Sequence, residues 1–274
     1  MMKPIKKIAL LHSLCGVGKA SMTNMLPILS AMGIEACPIP TVLLSTHTGG
    51  YNVPVIQSVE PEYIRLCGKH FRENQISFDL IFVGYLGKVD MVESVVDFLD
   101  CFPNAKVILD PIMGDNGRYY QNIESSYVDA YKRLISYADV IIPNLTEACL
   151  LTHTSYQEMM TNIDIEILAA VLNDIGAKQS IITSIPGNKG NKDIALCTCE
   201  EKEILSLPQI AHDYHGTGDV FDAVFVGGYL QGNAIKDSVL KAHDFVCECI
   251  RSSIQYDYDK REGLLLEKSL SLLV

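Results

Sequence analysis

Short, unbroken apolar runs alternate with amphipathic stretches along this chain. Ile8 to Leu11, Leu80 to Val83, Val107 to Leu109, Val140 to Ile142 and Ser180 to Ile182 each read as a buried strand. Between them, Met22 to Met32, Val92 to Leu99, Val128 to Ile135 and Ile165 to Ile175 carry helical spacing. Gly33 and Gly176 follow the first and last of these as C-caps. Strand and helix in strict alternation predict βαβ units, hence an α/β fold with a central, mostly parallel sheet covered by helices on both faces. Two regions break the rhythm. Thr41 to Val55 reads as a strand pair interrupted by Thr48-Gly49-Gly50, and Ile194 to Leu207 as an antiparallel hairpin turning at Glu200-Glu201-Lys202. No linker, repeat or low-complexity tract divides the chain, so residues 1–274 read as a single domain.

The polar residues that matter follow the strands. In open α/β sheets ligands bind beyond the carboxyl ends of the strands, which places Ser13, Tyr85, Asp110, Asn144 and Thr183 along one sheet edge. His215-Gly216-Thr217-Gly218-Asp219 precedes an apolar, helix-like run from Val220. Glycines at a helix start let backbone N–H groups close around an anion where the helix dipole favours negative charge. An acid in that first turn, Asp219, is placed to take a proton from an alcohol held beside the anion. The plainer alternative is an ordinary N-terminal helix acid stabilised by the dipole. Asp110-Pro111 opens the loop Ile112-Met113-Gly114-Asp115-Asn116-Gly117. Carboxylates there would repel a triphosphate unless a cation intervened, which implies Mg²⁺. Asn144 and Glu147 suit an N-cap and its third helical position, and Glu147 also suits a water-mediated contact to the metal.

Charge and composition narrow the field. A net charge of −11 argues against nucleic acid or an anionic membrane surface as partner. No apolar segment is long enough to span a bilayer, and the lysines before Ile8 lead into a strand, not a signal peptide. The nine cysteines include two C-x-C pairs, Cys197/Cys199 and Cys247/Cys249, but no C-x-x-C, which suits thiols kept reduced in the cytoplasm. Gly16-Val17-Gly18-Lys19-Ala20-Ser21 imitates a phosphate-binding P-loop but fails its spacing, since Ser13 and Ala20 stand where glycine and serine or threonine are needed.

Taken together, Ser45-Thr46-His47-Thr48-Gly49, Val83-Gly84-Tyr85-Leu86-Gly87, Asp110 to Gly117, Pro143-Asn144-Leu145-Thr146-Glu147 and Gly216 to Asp219 resemble the pyridoxal kinase branch of the ribokinase-like superfamily. The resemblance runs in order from about Ile8 to Leu230. It implies a three-layer ribokinase-like fold, a homodimer, and ATP-dependent phosphorylation of the 5′-hydroxyl of pyridoxal, pyridoxamine or pyridoxine, with Mg²⁺ and an optional K⁺ or Na⁺. By resemblance Asp219 matches the catalytic acid and Gly216, Thr217 and Gly218 the anion hole. Ser13, Thr41, His47 and Tyr85 match the vitamin pocket, and Asp110, Asp115, Tyr120, Asn144, Glu147, Thr183 and Ser184 the nucleotide side, with Asp110 and Glu147 nearest the metal. Leu14, Lys19, Ser21 and Ile142 depart from the family's usual residues. Two alternatives stand beside this reading: a hydroxymethylpyrimidine (phosphate) kinase, which typically carries cysteine at the position of Asp219, and a protein that binds B6 or nucleotide without turnover.

Overall fold

The computed structural model describes residues 5–120, 123–188, 191–198, 202–211 and 214–274. A nine-stranded sheet runs through it. The strands in chain order are β1 (Lys7–Val17), β2 (Glu35–Thr46), β3 (Ile56–Ser58), β4 (Leu80–Val83), β5 (Lys106–Leu109), β8 (Val140–Ile141), β9 (Ser180–Pro186), β10 (Lys192–Cys197) and β11 (Lys202–Leu207). A separate two-residue hairpin, β6 (Gly114–Asp115) and β7 (Arg118–Tyr119), lies in the loop after β5. The order across the sheet is β11-β10-β9-β8-β5-β4-β1-β2-β3. Pairing is parallel from β9 through to β2 and antiparallel at β2–β3, β9–β10 and β10–β11.

Two apolar cores, one on each face, explain why the central strands read as continuous hydrophobic runs. In β1, Ile8 and Leu10 point into one core while Ala9 and Leu11 point into the other; β4 divides as Leu80 and Phe82 against Ile81 and Val83. Helices α2 (Pro61–Glu73), α3 (Met91–Asp100), α4 (Ser126–Ile135), α5 (Leu145–Thr152) and α6 (Asn162–Ile175) cover the first face. Helices α1 (Met22–Ala31), α7 (Thr217–Leu230) and α8 (Ile235–Ser253), with 3-10 turns at 266–268 and 270–273, cover the second.

The structure corrects several sequence expectations. The strand pair expected over 41–55 is instead a long β2 ending at Thr46, a loop, and the short β3 beginning at Ile56. Pro38 and Pro40 fit inside β2 because β3 pairs only with Val42 to Leu44, leaving the prolines at an edge that needs no donor. Strand β1 runs on past Leu11, and its register with β2 shifts between His12 and Ser13, so that Thr41 becomes an extra residue opposite the shift. Strand β9 does not stop at Ile182 but continues to Pro186. Helix α2 has no counterpart among the expected elements. The β10–β11 hairpin forms as expected, while its turn at Glu200 and Glu201 lies outside the described residues.

Candidate active site

The carboxyl ends of β1, β4, β5, β8 and β9 and the first turn of α7 meet on one side of the sheet. A cavity of about 360 Å³ opens there, lined by Gly216, Thr217, Gly218 and Asp219 together with Asp110, Asp115, Tyr120, Asn144, Glu147, Thr183 and Ser184. Every residue assigned from sequence to the phosphate loop and the nucleotide side therefore faces one space. Ser13, Thr41, His47 and Tyr85 do not line it.

The expected phosphate loop, at the start of α7, owes its shape to glycine. Gly216 caps α7 with φ 78° and ψ 9°, a left-handed conformation that side chains disfavour. A Cβ there would also strike the Lys19 carbonyl and the Asn24 amide. Gly218, by contrast, faces open space. The first-turn N–H groups of a helix have no intrahelical acceptor, so this end of α7 presents donors to the cavity. Asn24, fully buried, ties the loop to the β1–α1 turn by donating from Nδ2 to the Lys19 carbonyl at 2.6 Å and to the Gly216 carbonyl at 3.1 Å.

Asp219 is gripped at both oxygens. His12 Nε2 lies 3.1 Å from Oδ1, and the Ser21 N–H donates to Oδ2 at 2.7 Å. Ser21 adopts φ 58° and ψ −135°, a region nearly reserved for glycine. Its Oγ is 2.7 Å from Ser13 Oγ, so one residue engages both the acid and the serine of the expected vitamin pocket. Thr41 is fully buried and donates to the Tyr85 carbonyl at 2.6 Å. His47 accepts from the Gly49 N–H at Nδ1 (3.1 Å), so its Nε2 hydrogen goes to the Arg261 carbonyl at 2.6 Å. Its ring lies 4.8 Å from that of His215 and 5.0 Å from that of Tyr51. Lys19 pairs with Glu267 at 2.6 Å. The turn at 18–21, the loop at 47–51 and the segment at 259–267 thus form one rim on the side of the site that carries Ser13, where the sequence places the substrate ring.

The side expected from sequence to take the nucleotide is built differently. Asn144 and Glu147 form a full capping box at the start of α5, as their spacing suggests. Glu147 Oε1 also accepts from the Met113 N–H at 2.9 Å, Oε2 accepts from the Asn144 N–H at 2.9 Å, and Asn144 Nδ2 donates to the Gly114 carbonyl at 2.8 Å. These bonds fasten the loop after Asp110 to the helix. Burial pushes the Glu147 carboxyl well above the usual carboxylate range, and Asp110 adds to this, while the Met113, Asn144 and Gly114 amides pull the other way.

Asp222, which sequence reading passed over, stands beside Asp110 in the cavity wall. Burial is the first cause that raises both carboxyls well above their ordinary value. Repulsion from Asp222 and Asp219 adds to the effect on Asp110, and repulsion from Asp219 and Glu147 to the effect on Asp222. Asp222 is 3% exposed, and its Oδ2 is buried without a hydrogen-bond partner. The signal was present in the sequence: an acid three residues after Asp219 lies on a neighbouring face of the same helix. His12 carried a positional signal as well, since it directly follows the apolar run Ile8 to Leu11, beside Ser13. Among the described residues no group of three or more His, Cys, Asp or Glu is arranged to hold a metal ion alone. A cation taking one or two carboxylates, water and phosphate oxygens fits this donor set, and the orphaned Asp222 oxygen favours it.

A model of the phosphomethylpyrimidine kinase family matches residues 22–263. The chain belongs to this family. A crystal structure of a Bacteroides thetaiotaomicron family member, in an orthorhombic form with pyridoxal, is 35% identical and superposes with a TM-score of 0.91 over 98% of this chain and 96% of that one. Pyridoxal kinase of Corynebacterium diphtheriae is 26% identical over 250 residues, 87% of this chain and 86% of its own. A Schizosaccharomyces pombe relative is 27% identical over 207 residues, 71% of this chain and 59% of that protein. The fold of this family member is ribokinase-like, and its chemistry is ATP-dependent phosphoryl transfer to an alcohol. Among its described residues no helix is long and apolar enough to cross a membrane.

Proposed function

We propose that the protein transfers the γ-phosphoryl group of ATP to the 5′-hydroxyl of a vitamin B6 vitamer: pyridoxal, pyridoxamine or pyridoxine. The carrying observation is Asp219, held at both oxygens on the first turn of α7 and opening onto the cavity that also contains Asp110 and Glu147. Pyridoxal in the 35%-identical Bacteroides structure and the name of the Corynebacterium relative support the choice of substrate.

In this reading Asp219 accepts the proton of the vitamer hydroxyl, and the N–H groups of Gly216, Thr217 and Gly218 receive the charge that builds on the migrating phosphoryl group. Because the transition state is loose, position and charge neutralisation count for more than base strength. Asp110 and Asp222 would hold Mg²⁺, with Glu147 acting through water. The cation, when bound, supplies charge neutralisation between the phosphates and these acids. Ser13, Thr41, His47 and Tyr85 shape the ring side, while Asp115, Tyr120, Asn144, Thr183 and Ser184 serve the nucleotide side. Optional stimulation by K⁺ or Na⁺, a homodimer and a cytoplasmic setting belong to the same proposal.

A second reading, phosphorylation of hydroxymethylpyrimidine or its phosphate, draws on the family model itself. One assay separates the two: purified protein with MgATP against the three B6 vitamers and hydroxymethylpyrimidine. The proposal expects turnover on a vitamer to exceed that on the pyrimidine at least ~10-fold in kcat/KM, about the discrimination available to a built pocket. Preference for the pyrimidine overturns it.

A further inference from the structure

We propose that His12 is a positioning residue for phosphoryl transfer, fixing the carboxylate of Asp219 through a hydrogen bond from Nε2. The inference rests on the reading of Asp219 as proton acceptor.

The ring of His12 is defined on every side. It ends the straight part of β1, one residue before the register shift, and is 1% exposed. The backbone N–H of Ser13 donates to its Nδ1 at 2.8 Å, and the backbone N–H of Tyr85 donates to the same atom at 3.3 Å. An imidazole nitrogen that accepts carries no hydrogen, so the hydrogen lies on Nε2. That atom faces Asp219 Oδ1 at 3.1 Å. Gly84 makes room: a Cβ there would stand 2.8 Å from His12 Cδ2. The Tyr131 hydroxyl, fully buried, donates to the Gly84 carbonyl at 2.9 Å and pins that turn. The Phe82 ring flanks the imidazole at 5.9 Å between centroids.

The two grips on Asp219 are therefore unequal. His12 belongs to the central sheet, and two amides set its tautomer. The Ser21 N–H belongs to a turn held in a glycine-like conformation. His12 fixes Oδ1 and with it the carboxylate plane, which leaves Oδ2, now covered by Ser21, as the oxygen that meets the substrate hydroxyl once the turn yields. Proton acceptors displaced by about an ångström lose on the order of 100-fold in rate, so a fixed second point of attachment matters to kcat more than to binding.

Three variants test this. His12→Asn keeps an acceptor near Nδ1 but falls short of Asp219. His12→Leu removes both functions while keeping bulk. His12→Gln restores a donor at about the reach of Nε2. The expected result is a loss of ~10- to 100-fold in kcat for His12→Asn and His12→Leu, with KM for ATP and vitamer within ~3-fold and most of kcat recovered in His12→Gln. In an Asp219→Asn background, single-turnover rates should show no further loss from His12→Asn, because its effect passes through Asp219. Imidazole ¹⁵N spectra of the wild-type protein give a readout that needs no variant of His12: the Nε2–H tautomer is expected, with its signal displaced in Asp219→Asn. Full activity in His12→Asn beside an inactive Asp219→Asn, equal losses in all three variants, or an Nδ1–H tautomer would each overturn the role of His12 alone. An active Asp219→Asn would instead overturn the reading of Asp219.

Discussion

The two halves of the site are finished to different degrees. On the nucleotide side, Glu147, Asn144 and the loop after Asp110 are locked by backbone donors and open onto a cavity. On the ring side, Ser13 is engaged by Ser21, Thr41 by the Tyr85 carbonyl and His47 by Arg261. One half is a preformed receptor. The other is closed by its own chain, with a strained turn occupying the contacts a substrate would use. Under the proposed assignment a vitamer has to displace protein–protein hydrogen bonds, while the nucleotide meets groups that already face the cavity.

The sharpest way to break this comparison is at the boundary between the halves. Asp219→Asn should lower kcat by ~10²- to 10⁴-fold, the usual range for a lost proton acceptor, while calorimetric ATP affinity changes less than ~3-fold. Loss of ATP binding in that variant would mean that the two sides are not separable. Ser21→Ala comes next. It removes the Oγ contact and frees Ser13 Oγ while leaving the φ 58°, ψ −135° turn as strained as before, so steady-state kinetics should show KM for the vitamer falling several-fold, on the order of 1 kcal/mol of removed competition, with KM for ATP unchanged. An unchanged vitamer KM would show that the turn does not compete with substrate.

Asp222→Asn probes the metal-facing wall. The folded-state Asp222 carboxyl titrates well above its ordinary value because burial penalises the charge. As pH rises above about 4, the unfolded chain ionises first, so stability is highest below that point and declines until the folded group also ionises. The amide removes this decline. Ligand-free Asp222→Asn should melt a few degrees higher than wild type at neutral pH, corresponding to ~1–2 kcal/mol, and the two melting curves should converge near pH 4. Parallel curves across the range would contradict this account. The smallest effect belongs to the rim pair: Lys19→Ala, breaking the contact with the exposed Glu267, should cost at most ~1 kcal/mol in thermal melts and less at high salt.

The sheet was legible because its central strands are buried on both faces, which leaves short apolar runs such as Leu80 to Val83 that nothing else explains. Loop chemistry was legible where glycine, proline or a capping pair punctuated it: Gly216 to Gly218, Asp110-Pro111, Asn144 with Glu147. Helix α2 carries its own signal, with Ile64, Cys67, Gly68 and Phe71 at helical spacing on the inner face, but only Ile64 and Gly68 are fully buried and charged residues fill the rest, so it lacks the long apolar run that marks the other elements. The register shift at His12 and Ser13 was not legible. Periodicity sets which face a residue takes, but a one-residue slip between strands is decided by the partner strand. His12 itself lies before the slip, directly after the run Ile8 to Leu11, so its place at the strand end was legible while its contact with the acid was not. The closure of the ring side by Ser21 was equally invisible, since it depends on a backbone conformation that serine seldom adopts.

The rim contacts join residues made far apart in time: His47 to Arg261 and Lys19 to Glu267 span 214 and 248 positions. A nascent chain on the ribosome can assemble the sheet, the phosphate loop and even the grip on Asp219 before residues 259–267 emerge, yet it cannot complete the wall that encloses the acceptor. The wall at 259–267 therefore closes only after the sheet and the turn at Gly216 that precede it in the chain have taken shape.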